Sequence, residues 1–202
     1  MILIFLLTGC TQPETKIVCE KMDDSISRDE CFLDKAALEL NLSLCEKIQY
    51  EAYRSACIQN IAKNTRDLTV CDGIKEINNR NNCIIAVAKQ QGSHSICESI
   101  NETDKIDDCI SITAFSQKNI STCALIENSI KKDGCRMQIA IEQKNHLLCD
   151  RIEKKTIWDE CILDIAVETK NPTVCDKFTI QYKKTDCYAA VERAVGLNES
   201  SA

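Results

Sequence analysis

The sequence predicts an all-α protein: an α-solenoid of about seven two-helix repeats, each stapled by a disulfide. The first observation behind this is a spacing. From Cys19 onward the cysteines fall on alternating steps of 12 and 14 residues, a 26-residue period held through seven copies without an insertion. A fixed period of this length marks a repeat array, in which a unit too small to bury a core alone stacks on its neighbours. The second observation is that apolar residues recur at helical spacing, while strand-like alternation is missing. The third is a pair of columns, one before each cysteine of the repeat, filled with helix-capping residue types.

The first column stands four residues before the first cysteine of each repeat and holds Thr15, Asn41, Asp67, Ser93, Asn119, Asn145 and Asn171. Side chains of this kind accept a hydrogen bond from the free N–H groups of a first helical turn. Pro172 follows the last of them, at a position where its missing N–H costs nothing. The second column stands two residues before the second cysteine and holds Asp29, Ser55, Asn81, Asp107, Asp133, Asp159 and Thr185. By the same reasoning it predicts that a longer helix opens at the second cysteine.

That longer helix carries apolar residues one and four places after the cysteine, as in Ile58 with Ile61, Ile84 with Val87, and Ile162 with Ile165. These lie on one face. Five places after the cysteine come Ala36, Ala62, Ala88, Ala114, Ala140 and Ala166, and then Glu192 in the last copy. A small side chain lets a neighbouring helix approach closely, and its loss in the final unit fits a terminal cap. The shorter helix holds the first cysteine, with an apolar residue three places on: Met22, Ile48, Ile74, Ile100, Ile126, Ile152 and Phe178.

Two neighbour pairings of the cysteines are open. The 12-residue step gives Cys19–Cys31, Cys45–Cys57, Cys71–Cys83, Cys97–Cys109, Cys123–Cys135, Cys149–Cys161 and Cys175–Cys187, and uses every cysteine of the array. The 14-residue step strands Cys19 and Cys187. The first is therefore favoured, and a helical hairpin brings the two Cα atoms within the roughly 5.5–6 Å that a disulfide needs. Aromatic residues make up only 4% of the chain. Staples worth about 3 kcal/mol each for short loops would replace the missing aromatic core. Cysteine density of this order belongs to an oxidising compartment outside the cytoplasm.

Ahead of the array, Met1 to Gly9 read M-I-L-I-F-L-L-T-G, an apolar run far short of the ~20 residues that span a bilayer. Leu7-Thr8-Gly9-Cys10 resembles the lipobox of bacterial-type lipoproteins. The resemblance implies that residues 1–9 are a signal peptide and that Cys10 receives a diacylglyceryl group and becomes the new N-terminus. The sequence departs from that family in having no Lys or Arg before a short apolar run; a start upstream of Met1 accounts for both departures. Fifteen cysteines is an odd number, and Cys10 alone stands off the period, leaving fourteen to pair. Residues 10–14 then form a lipid-anchored tether, 15–195 the array, and 196–202 a polar tail. More broadly, the array resembles cysteine-stapled helical-repeat proteins of microbial cell surfaces.

Other chemistry finds little support. A formal charge of −6 with no basic block argues against nucleic-acid binding. Metal knuckles favour C-x2-4-C, whereas no two cysteines here are closer than nine residues, and His94 and His146 read as exposed first-turn residues. Thiol redox chemistry would draw on a second cysteine placed in a helical first turn, yet there is no C-x-x-C. No hydrolase or phosphate-binding motif occurs, and Asp23-Asp24 and Asp107-Asp108 read as capping and surface residues rather than catalytic pairs. Asn41, Asn101, Asn119 and Asn198 begin N-x-S/T sequons. Trp158 interrupts a mostly basic column of Arg28, Arg54, Arg80, Lys132 and Lys184, where it either packs on the adjacent connector or anchors a partner.

The expectation is a non-enzymatic, lipid-anchored scaffold of the cell envelope that needs no cofactor and takes no small-molecule substrate. Its partners are the membrane, through the lipid, and a protein or envelope component. A structural spacer without a ligand and a thiol-based metal store are the alternatives.

Overall fold

The computed structural model describes residues 18–199, with side chains through residue 196. The described residues are all-α, with seven helix pairs and no strand among them. The longer helices are α1 (Ser25–Glu39), α3 (Glu51–Thr65), α4 (Ile77–Gln91), α5 (Thr103–Ser116), α6 (Ser129–Glu142), α7 (Lys155–Glu168) and α8 (Gln181–Glu199). The shorter partners are the α-helical turn α2 (Leu42–Cys45) and the 3-10 helices Cys19–Lys21, Leu68–Gly73, His94–Ser99, Thr122–Leu125, His146–Arg151 and Pro172–Lys177. Segments this short suit the tighter 3-10 winding.

The chain divides into two compact units, one ending at Cys57 and the other beginning at Ile58, inside α3. In the first unit, α1 packs against the 3-10 helix before it and against α2. In the second unit, α4 packs on α5, α5 on α6, α6 on α7 and α7 on α8, with the 3-10 helices lying between successive partners. Such nearest-neighbour stacking is what a repeat array requires.

Disulfides join Cys19–Cys31, Cys45–Cys57, Cys71–Cys83, Cys97–Cys109, Cys123–Cys135, Cys149–Cys161 and Cys175–Cys187, with Cα–Cα distances of 5.6 to 6.0 Å. Each ties the short helix of a repeat to the long one that follows. Around the sulfurs the core is aliphatic: Ile48, Ile100, Ile126, Ile139, Ile162 and Ile165 are essentially inaccessible to solvent. The alanine column from Ala36 to Ala166 is wholly buried, whereas Glu192 is exposed.

The alanines also close the long helices. Beyond each lies a residue in the left-handed region: Leu40, Arg66, Gly92, Lys118, Lys144 and Lys170, with φ between 51° and 65°. The amide of the next residue, Asn41, Asp67, Ser93, Asn119, Asn145 or Asn171, donates back to the alanine carbonyl at 2.9 to 3.1 Å. This satisfies an end-of-helix carbonyl as in a Schellman closure. The same residue then starts the short helix. Asn41, Asp67, Asn119, Asn145 and Asn171 each accept, on the side chain, from the amide two residues on. One residue thus ends one helix and opens another.

The second capping column behaves differently from the sequence expectation. The long helices begin six residues before the second cysteine, which is their seventh residue and lies in the second turn. Asp29, Asp107 and Asp133 are therefore inside their own helices, and they are buried. Each reaches across to the following repeat. Asp29 accepts from the amides of Gln49 and Tyr50 at 2.8 to 3.1 Å. Asp107 accepts from Glu127 and Asn128, both at 2.9 Å, and Asp133 from Glu153 and Lys154 at 3.1 and 2.7 Å. The donors are the two residues directly before α3, α6 and α7. A negative charge there also suits the positive end of the helix dipole. In these three the capping residue type is present, but the helix it serves belongs to the next repeat; Thr185 instead donates to the Gln181 carbonyl of its own helix.

Candidate functional site

The step from α7 to α8 departs from this aspartate pattern, and it is not alone in lacking the backbone seal: at the same column position Asn81 donates to Glu102 Oε1 at 3.2 Å, and Ser55 Oγ is buried without a hydrogen-bond partner. Asp159 holds the place of Asp133, one repeat later. Where Asp133 accepts from two amides, Asp159 forms ion pairs with Lys183 Nζ at 2.5 Å and Lys155 Nζ at 3.1 Å. The carboxylate keeps part of its surface in water. Partial burial by itself would raise its pKa, but hydrogen bonds from Lys183 and Lys155 outweigh that and hold it below the usual value of 3.8. Lys183 is raised in turn, mainly by its bond to Asp159.

A groove of about 250 Å³ opens at this step, lined by Asp159, Glu160, Leu163, Phe178, Lys183, Asp186 and Cys187. Beside it, Trp158 stands edge-on to Phe178, with ring centroids 5.7 Å apart. The ammonium of Lys155 lies 3.4 Å from the centroid of the indole ring, a cation–π contact. Both Trp158 and Lys155 are thus fixed in place: the indole is half-buried against the connector that carries Phe178, while Lys155 spans the ring and Asp159. Ile180 and Tyr182, at the start of α8, are 42% and 63% exposed. The result is a mixed aromatic, apolar and charged surface at one end of the second unit. The sequence signalled it through Trp158 in a basic column, but the change of role at Asp159 had no signal, because aspartate occupies that column at four positions.

The other singled-out residues fall into place as parts of the scaffold. Asp24 caps α1, accepting from Ser27 N at 2.7 Å, and its neighbour Asp23 takes no part in that cap. Asp107 serves the next repeat, while Asp108 pairs with Lys131 at 2.6 Å. Neither acidic pair converges on a common point. His94 and His146 are the first residues of their 3-10 helices. Among the described residues, no group of three or more His, Cys, Asp or Glu is arranged to hold a metal ion. No described helix is long and apolar enough to cross a membrane. Cys10 and the lipobox lie outside the described residues. Placing the second cysteine in a second turn removes the helix-end activation that a reactive thiol would need, and its sulfur is bound in a disulfide.

Comparison of the chain with family models, curated proteins and solved structures finds no match.

Proposed function

We propose that this is a lipid-anchored helical-repeat protein of the cell envelope, held to the membrane through Cys10, whose stapled array presents a protein or envelope component with a binding surface. It acts without catalysis. The observation that carries the reading is the α7–α8 step, where Asp159 takes two lysines in place of amides, a groove opens along Leu163, Phe178 and Lys183 beside the half-buried Trp158, and Ile180 and Tyr182 stand exposed at the start of α8. Half-buried aromatics with a fixed cation are the side chains from which interface hot spots are made. The disulfides support an oxidising, extracytoplasmic address.

Two experiments test it. Cys10→Ser should move the protein from the membrane to the aqueous fraction; unchanged partitioning with membranes would remove the anchor. Saturable binding to envelope extracts should weaken about thirtyfold in Trp158→Ala, the order of a hot-spot truncation. If no saturable binding exists, the spacer alternative stands. The metal-store alternative needs the thiols that the disulfides occupy, and a free-thiol count on unreduced protein separates it from the other two.

A further inference from the structure

We infer that the first repeat carries a second membrane contact, a leucine patch at the C-terminal end of α1 that rests on the bilayer surface and sets how the anchored protein stands. This rests on the lipid-anchor reading above. Leu38 is 87% exposed, the most exposed large apolar side chain among the described residues, and Leu40 and Leu42 beside it are 47% and 40% exposed. The three alternate around the closure of α1, where Leu40 adopts the left-handed conformation with φ 51°. A leucine in that conformation carries a steric cost that glycine would not. Packing within the unit gives no reason for it, since the side chain stays half in water.

Leu38 and Leu40 are the part of the patch that is peculiar to the first repeat, since the position of Leu42 is apolar again in Leu68 and Ile120. At the position of Leu38 the later repeats carry Asn64, Gln90, Ser116, Glu142 and Glu168, and at the position of Leu40 they carry Arg66, Gly92, Lys118, Lys144 and Lys170. No later repeat places a large apolar side chain at either of these two positions. From Cys10 to Val18 the chain has eight steps, which reach at most about 29 Å when fully extended. Once Cys10 is in the membrane, the first repeat cannot leave the bilayer surface by more than that. An exposed leucine cluster held so close meets lipid at a high effective concentration.

The charge balance narrows the lipid. Residues 18–57 hold nine acidic and five basic side chains. A surface of this sign is repelled by an anionic leaflet, so the contact fits zwitterionic lipid and works by apolar insertion rather than by charge.

The test couples the full chain through Cys10 to a maleimide phospholipid in vesicles of brominated phosphatidylcholine, and reads quenching of one tryptophan. In a Trp158→Phe background, Leu38→Trp is compared with Ile26→Trp, at the other end of α1. Interfacial side chains sit roughly 5–10 Å into the headgroup boundary and the two sites are about 18 Å apart, so quenching at position 38 should exceed that at 26 at least about twofold. Adding phosphatidylglycerol should shrink the difference. Equal quenching, or stronger quenching at 26, overturns the proposal. So does a concentration-dependent shift of the Leu38→Trp emission without vesicles, which would assign the patch to a second copy of the chain. Because the lipid is attached chemically, these outcomes do not depend on the Cys10→Ser fractionation, and each idea can fail alone.

Discussion

The α6–α7 and α7–α8 steps of the second unit use an aspartate at the same repeat position for different ends. Asp133 is 2% exposed and joins three partners: Glu153 N, Lys154 N and the guanidinium of Arg136 at 3.0 Å. It locks the start of α7 to the body of α6. Asp159 meets only the ammonium groups of two lysines. The residue at the N-cap position of α8 is Ile180, which has no side-chain acceptor to offer the first turn. One step is sealed by backbone hydrogen bonds, and the next is left open at the surface that carries the groove. At this step an aspartate turned from backbone amides to lysines leaves a groove without any new element being added.

The largest effect should come from the staples. Removing Cys175–Cys187 with paired alanines should cost about 2–5 kcal/mol and unfold α8 while α4–α7 stay protected. Hydrogen exchange resolved along the chain would show this, and cooperative loss of the whole unit would mean that the last step is sealed as firmly as the others. Next in size, Asp133→Ala leaves the two half-buried amides before α7 without their acceptor and Arg136 with Glu153 alone, and should lower denaturant stability by about 1–3 kcal/mol. Asp159→Ala should cost less, about 1 kcal/mol, because it frees two lysines that reach water, one exposed and one half-buried, and leaves no backbone amide without an acceptor. Equal losses would erase the distinction.

Two smaller tests work by repair. Ile180→Asp supplies α8 with an acceptor of its own and should add about 0.5–2 kcal/mol, visible as a raised denaturation midpoint. Lys144→Gly relieves a left-handed residue with φ 51° and should add up to about 1 kcal/mol, despite losing an exposed pair with Glu168. Gly92 already occupies the equivalent place and has no such gain to offer.

The pH dependence of the open step follows from its ion pair. Asp159 is depressed below 3.8, so the stability it lends is present above that value and fades as the pH falls through its folded pKa. Lys183 is raised above 10.5, so its share is full below that value and is lost as the pH climbs through the folded pKa. Between those limits the pair should be insensitive to pH. Asp159→Asn should flatten the acid limb of a stability profile, and an unchanged limb would show that the lysines do not hold the carboxylate.

Much of this architecture could be read from the residues alone. The cysteine period set the repeat length, and the ends of the array favoured the pairing that leaves no cysteine over. The alanine column marked buried helix positions because only a methyl fits there. Asn41, Asp67, Asn145 and Asn171 proved true caps, since a cap acts on amides two residues away and local sequence suffices to see it; Ser93 stands at the cap without a side-chain bond to the helix, Asn119 lies two residues ahead of the cap Ser121, and Thr15 lies outside the described residues. The column containing Asp29, Asp107 and Asp133 was legible as capping chemistry but not as to its target, because its partners lie 20 and 21 residues on. A one-dimensional pattern reports what a side chain can accept, not which helix brings the donor. The groove at α7–α8 was legible only as an oddity at Trp158, because its shape depends on Asp159 taking lysines in place of amides.

The direction of the inter-repeat bonds has a kinetic meaning. In every sealed step the carboxylate belongs to the earlier hairpin and the amides to the later one. A chain that emerges amino end first therefore presents Asp29, Asp107 and Asp133 before their donors exist, and at those three steps the new hairpin lands on a waiting acceptor. Assembly at those steps is polarised by construction.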